Sequence, residues 1–153
     1  MSRLDGSDDP MPEGLWWSAY RRARTSKRGQ RVLRDLEQAL LAIPDKRLAY
    51  EHISHEGAVC AVGAYVTWKE LQADPSKDRA AVVKDLEAAY YWESESLRGT
   101  AMVGREAGIA WTLAWEIGAA NDYAFGKGFT PEERWEKMLA WVREQIIPVT
   151  ASA

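Results

Sequence analysis

Cysteine occurs once, histidine twice and phenylalanine twice in 153 residues. A lone Cys60 excludes an internal disulfide and suits a reducing compartment. Two histidines, His52 and His55, are too few for a structural zinc site built from two separated ligand pairs. No apolar run reaches the ~20 residues that a membrane-spanning helix needs. The polar, acidic start from Met1 to Pro10 lacks the cationic and apolar segments of a secretory signal. Gly99 with Gly104, and Gly126 with Gly128, lack the lysine or third glycine and the strand-to-helix setting of a phosphate-binding loop. No repeat, low-complexity tract or linker divides the chain. These absences point to one cytoplasmic domain with no cofactor and no membrane partner, long enough to bury a core without staples.

What the chain has in excess is tryptophan and tyrosine, eight and six against two phenylalanines. Indole and phenol bury large area but keep a polar tip that needs a partner, so the core should be thick and polar at its edges. The net charge of −3 is unevenly spread. Arg21, Arg22, Arg24, Lys27, Arg28, Arg31 and Arg34 occupy a window with no acid, giving it +7 and the remainder −10. One segment is basic and the rest is acidic.

Apolar spacing predicts a mainly α, compact helical bundle of about six helices. Residues 1–12 read as a disordered arm, 13–147 as one helical domain and 148–153 as a frayed tail. Leu15, Trp16, Ala19 and Ala23 mark a helix from about Pro12 to Ser26. Val32, Leu33, Leu36, Ala39, Leu40 and Ile43 mark a second, with Thr25 to Gly29 as the joint and Pro44 as the stop. Lys46 to Val62 leaves room for one short β-hairpin turning at His55-Glu56-Gly57. A buried helix from Ala58 to Leu71 is favoured over a strand there, because Val59, Val62 and Val66 recur at helical intervals. Asp74-Pro75-Ser76 reads as the start of a helix running to about Glu95, and Arg98-Gly99-Thr100 as its break.

Gly104 to Gly118 reads as one helix ended by Asn121-Asp122, with Ala110, Ala114 and Gly118 on one face and Trp111 and Trp115 beside it. That small-residue face should lie against Ala61, Gly63 and Ala64 as the central helix pair. Thr130-Pro131-Glu132-Glu133 is a capping box opening the last helix, whose inward residues are Trp135, Met138, Leu139, Val142 and Ile146.

Three kinds of chemistry remain open. The seven cations could neutralise phosphates of a nucleic acid, with Thr25, Ser26 and Gln30 adding hydrogen bonds; the plainer reading is a solvated face in an acidic protein. Glu51, His52, His55, Glu56 and Cys60 are metal ligands by type, and Cys60 with His52 or His55 is a formal nucleophile and base. The apolar neighbours of Cys60, Val59, Ala61 and Val62, argue against activation. Glu93 and Glu95 beside Tyr90, Tyr91 and Trp92 form an aromatic, acidic edge, with a solvated helix end as the simpler account. Trp17, Trp92 and Trp141 lie off the inward stripes, and tryptophan and arginine dominate binding hot spots.

Several segments together resemble a family of small uncharacterised proteins encoded by bacteriophages and prophages. They are Ser26 to Leu36, Ile43 to Leu48, Val59 to Ala64, Gly108-Ile109-Ala110 with Glu116-Ile117 and Asn121-Asp122, and Thr130 to Trp135 with Trp141-Val142. The likeness runs in order from Leu15 to Ile147, and this chain departs from it between Leu71 and Thr100, where it is longer. A looser likeness, confined to Cys60 to Ala64 and Asn121-Asp122, extends to bacterial domains of unknown function. The resemblance implies a phage setting in the bacterial cytoplasm and no particular activity. The expectation is therefore a non-catalytic accessory protein that binds a host protein or complex, as an inhibitor of host or defence machinery, through Trp17, Trp92 and Trp141. Nucleic-acid binding through Arg21 to Arg34 is the second reading and a metal or cysteine enzyme around His52, His55 and Cys60 the third; self-association through the tryptophans is also compatible.

Overall fold

A single residue, Ser26, separates the first two helices, α1 (Glu13–Thr25) and α2 (Lys27–Leu41). The computed structural model describes residues 3–4, 10–91, 96–122 and 128–149. Ser26 serves both helices, because its backbone N–H donates to the Arg22 carbonyl and its hydroxyl oxygen accepts from the Gly29 N–H at 3.0 Å. Gly29 is not the break that its type suggests. It lies in the first turn of α2, where a Cβ would stand 1.7 Å from the Ala23 carbonyl oxygen, so only glycine lets α1 cross so closely. The five-residue joint expected from Thr25 to Gly29 shrinks to one residue for that reason.

The inward stripe of α2 is as the spacing predicts, with Val32, Leu33, Leu36, Ala39 and Leu40 buried. Each such side chain contributes about 1.5–3 kcal/mol relative to exposure. Trp16 of α1 is fully buried beside them.

Both readings of residues 46–68 are realised, one after the other. Strands β3 (Ser54–His55) and β4 (Ala58–Val59) pair antiparallel, Ser54 opposite Val59, around Glu56-Gly57, whose φ values of 50° and 82° make the primed turn that suits a two-residue hairpin. Helix α3 (Ala61–Ala73) then starts at once, capped by Cys60. A second short pairing joins β1 (Arg3–Leu4) to β2 (Pro10–Met11).

Two helix boundaries differ from the sequence expectation. Asp74 closes α3 and turns its carboxylate back onto Ser76, accepting from the N–H at 3.1 Å and the hydroxyl at 2.6 Å. This local turn competes with capping, and Asp78 instead caps α4 (Arg79–Ala89). Arg98, Gly99 and Thr100 are not a break but the first turn of α5 (Leu97–Glu106), opened by Ser96, whose hydroxyl accepts from the Gly99 N–H.

The stretch from Gly104 to Gly118 divides between α5 and α6 (Trp111–Asp122). Gly108, at φ 97°, supplies the conformation that stops α5 and lets the chain fold back. The small-residue face of α6 therefore meets α5. A Cβ on Gly104 would stand 2.9 Å from that of Ala114, and one on Gly118 would stand 2.8 Å from Leu97. Gly63 lies under the Ile53 carbonyl and Ala110 is exposed. Helices α3 and α6 do pack together as expected, but not through these faces, because a short reversal at Gly108 supplies the small residues of α6 with a nearer partner. Helix α7 (Pro131–Gln145) carries the full capping box, with both Thr130 and Glu133 bonds made. The result is a compact, mainly helical domain with a small hairpin, seven helices among the described residues. No helix there is long and apolar enough to cross a membrane.

Candidate interaction surface

The elbow of α1 and α2 gathers all seven cations of the basic window. Arg21, Arg22, Lys27, Arg28, Arg31 and Arg34 are exposed and Arg24 is half-buried. Among the described residues none pairs with a carboxylate, whereas Arg47, Lys69, Lys77 and Arg143 each do. Two of the seven serve the fold. Arg28 donates through Nε and Nη2 to the Gly108 carbonyl, and Arg34 donates through Nη2 to the Ile147 carbonyl at 3.0 Å. The side chains of Arg21, Arg22, Arg24, Lys27 and Arg31 donate to no protein acceptor among the described residues. Lys27, Arg31 and Arg34 also border an open hollow of about 630 Å³ against Ile147 to Val149.

Trp17 stands on the same helix as Arg21, one turn before it. It is 40% exposed, its Nε1 donates to Glu13 at 3.4 Å and its ring meets Tyr20 edge-on at 5.9 Å. Leu15 of the same helix is 62% exposed. Trp141 is half-buried and packs on the core, so it offers one edge rather than a free indole. Trp92, with Glu93 and Glu95, lies outside the described residues.

The residues proposed for metal or thiol chemistry have other employment. Cys60 is buried, its Sγ accepts from the Gly63 N–H at 3.4 Å, and burial, reinforced by the charge of Asp122, pushes its pKa up to about 12. Such a thiol is a helix cap and a poor nucleophile. The rings of His52 and His55 stack at 4.6 Å, and His55 Nε2 lies 3.7 Å from Glu56. Among the described residues no three metal-ligating side chains converge.

A second polar constellation was not legible as such. Asn121 and Asp122, expected only to end a helix, are buried. Asn121 Oδ1 accepts from the Ala61 N–H, and its Nδ2 donates to the Ala49 carbonyl and to Asp122 Oδ1. Asp122 Oδ1 also accepts from the Glu51 N–H, and burial raises the Asp122 pKa against the opposing pull of these bonds and of Arg134. Arg134, also buried, donates through Nη1 to the Asn121 carbonyl at 2.5 Å and lies 4.8 Å from the Tyr50 ring centre. This network ties the loop between α2 and α3 to α6 and α7. One signal was available: Arg134 stands at four-residue spacing with the inward Met138 and Val142.

No protein-family model matches the chain, and no curated protein or solved structure matches it either.

Proposed function

We propose that this protein acts without catalysis, as a phage or prophage accessory protein that binds a host macromolecule in the bacterial cytoplasm. The phage setting rests on the resemblance of segments from Leu15 to Ile147. The binding role rests on one observation: five cations of the α1 and α2 elbow have no acceptor among the described residues, and one of them, Arg21, stands one turn along α1 from an exposed indole, Trp17. Clustered like charges gain nothing from one another, so they stabilise a complex only when an anionic surface meets them. Tryptophan and arginine side by side also match the composition of binding hot spots. The acidic remainder of the chain repels an extended polyanion such as nucleic acid more than a protein whose negative charge is confined to one patch.

The test is capture from host lysate by the wild-type protein and by an Arg21→Glu, Arg22→Glu, Arg31→Glu variant of unchanged fold. The reading requires a partner retained by the former and lost by the latter; equal retention by both removes the elbow as the contact.

Nucleic-acid binding is the second reading, favoured by the same cations together with Trp17, on which a base could stack. Its mark is affinity for short DNA that falls steeply with salt. Binding that is indifferent to salt excludes it.

A further inference from the structure

Arg134 is 3% exposed, yet among the described residues no carboxylate lies within ion-pair distance of it. A guanidinium carries five N–H donors, and here one hydrogen bond, to the Asn121 carbonyl, is made. The nearest buried acid, Asp122, has its Oδ1 already engaged by Asn121 and by the Glu51 N–H. Its other nitrogens are not sealed off, and apart from the Tyr50 ring 4.8 Å away they are left to whatever fills the adjoining space. Arg134 also lines a cavity of about 400 Å³ between the hairpin and the start of α7, with Tyr50 and Phe129 as aromatic walls.

We propose that this cavity binds a small monocarboxylate, with the carboxylate on the Arg134 fork and an apolar or aromatic body against Tyr50 and Phe129. The planar guanidinium matches a carboxylate through two parallel hydrogen bonds. Asp45 and Glu56 line the same cavity, and Arg47 at its edge is already paired with Glu132 at 3.1 Å. Those acids place negative charge about the mouth, which disfavours a phosphate dianion and tolerates a neutral or cationic far end on the ligand. The site is independent of the elbow, so either can fail without the other.

Benzoate is the probe, titrated during thermal unfolding at ionic strength held constant with chloride, with inorganic phosphate in parallel. The midpoint should rise with the logarithm of benzoate concentration above Kd, by about 5–10 °C at a hundredfold excess over Kd. Arg134→Gln should abolish the rise. Ala58→Phe, which leaves Arg134 and its bond in place but fills part of the cavity, should weaken it at least tenfold in Kd, and it decides the matter if the first variant does not fold. The proposal is overturned by a midpoint that benzoate does not move, by a rise undiminished in Ala58→Phe, or by phosphate acting more strongly than benzoate.

Discussion

Arg28 grips the carbonyl of Gly108 with two nitrogens, Nη2 at 2.6 Å and Nε at 3.1 Å, although 80 residues separate them. A cation thus satisfies an acceptor just past the end of α5, where the helix dipole is negative, and it fastens the elbow of α1 and α2 to the α5–α6 reversal. The pair links a readable local feature, a glycine that stops a helix, to a tertiary contact that no local pattern discloses.

Substituting either partner should weaken this fastening by different routes. Gly108→Ala keeps the space, since its Cβ would sit 3.7 Å from Arg28 Nη2, but forces alanine to φ 97° and should cost roughly 1–2 kcal/mol. Arg28→Ala removes exposed hydrogen bonds and should cost about 1 kcal/mol. Urea unfolding of the two variants tests the order; an Arg28→Ala variant more damaging than Gly108→Ala would contradict it.

Trp16 donates its indole N–H to Glu116 Oε1 at 2.8 Å inside the core. Trp16→Phe keeps the ring's packing against Trp115, 5.8 Å away, but leaves the buried carboxylate short of a donor. A loss of about 1–3 kcal/mol is expected, recovered in part by adding Glu116→Leu, which removes the acceptor that lost its indole donor. A double variant as unstable as the sum of the two single ones would show that the hydrogen bond is not what couples them.

Asp122 gives a pH-dependent prediction with a definite sign. Burial raises its folded pKa above the unfolded value, so the folded state holds that proton more tightly. Its contribution to stability is fully present below the unfolded pKa and is lost as pH rises through the folded one. Asp122→Asn can keep the acceptor for the Glu51 N–H and carries no charge at any pH. Its stability relative to wild type should therefore be highest near neutral pH and should decline on acidification toward pH 4. Denaturant curves at intervals between pH 4 and 7 read this directly, and a relative stability that grows on acidification would reverse the assignment.

The Cys60 thiol, with its pKa pushed up to about 12 and its sulfur capping α3, should resist iodoacetamide at pH 8 in the native protein. In denaturant it should react at the rate of an ordinary thiol. A native rate within tenfold of the unfolded one would restore it as a candidate nucleophile.

The parts of the fold that the sequence made legible are those set by neighbours along the chain. The α2 stripe and the Thr130 capping box needed no tertiary partner, and both formed as read. Where two local devices compete, the outcome depended on context: Asp74 and Asp78 can each cap a helix, and the turn onto Ser76 settled which did. The small-residue face of α6 met α5 instead of α3 for a related reason, since Ala114 and Gly118 specify close approach but not the approaching helix. Burial of Asn121, Asp122 and Arg134 was hidden because a polar residue reveals its depth only through its partners, and these came from Ala49, Glu51 and Ala61.

The basic elbow separates stability from binding. Arg21, Arg22, Arg24, Lys27 and Arg31 have no acceptor among the described residues, while Arg28 and Arg34 hold Gly108 and Ile147. Arg21→Gln, Arg22→Gln and Arg31→Gln combined should leave unfolding free energy within about 0.5 kcal/mol of wild type, or raise it slightly by relieving like-charge repulsion. The same change should slow association with an anionic partner at least tenfold at low salt, an effect that fades as salt screens the charges. Arg28→Gln should behave in the opposite manner, lowering stability more than association. Stopped-flow association and urea unfolding on both variants distinguish the roles, and an association rate unchanged by the triple substitution would mean that the partner contacts another face.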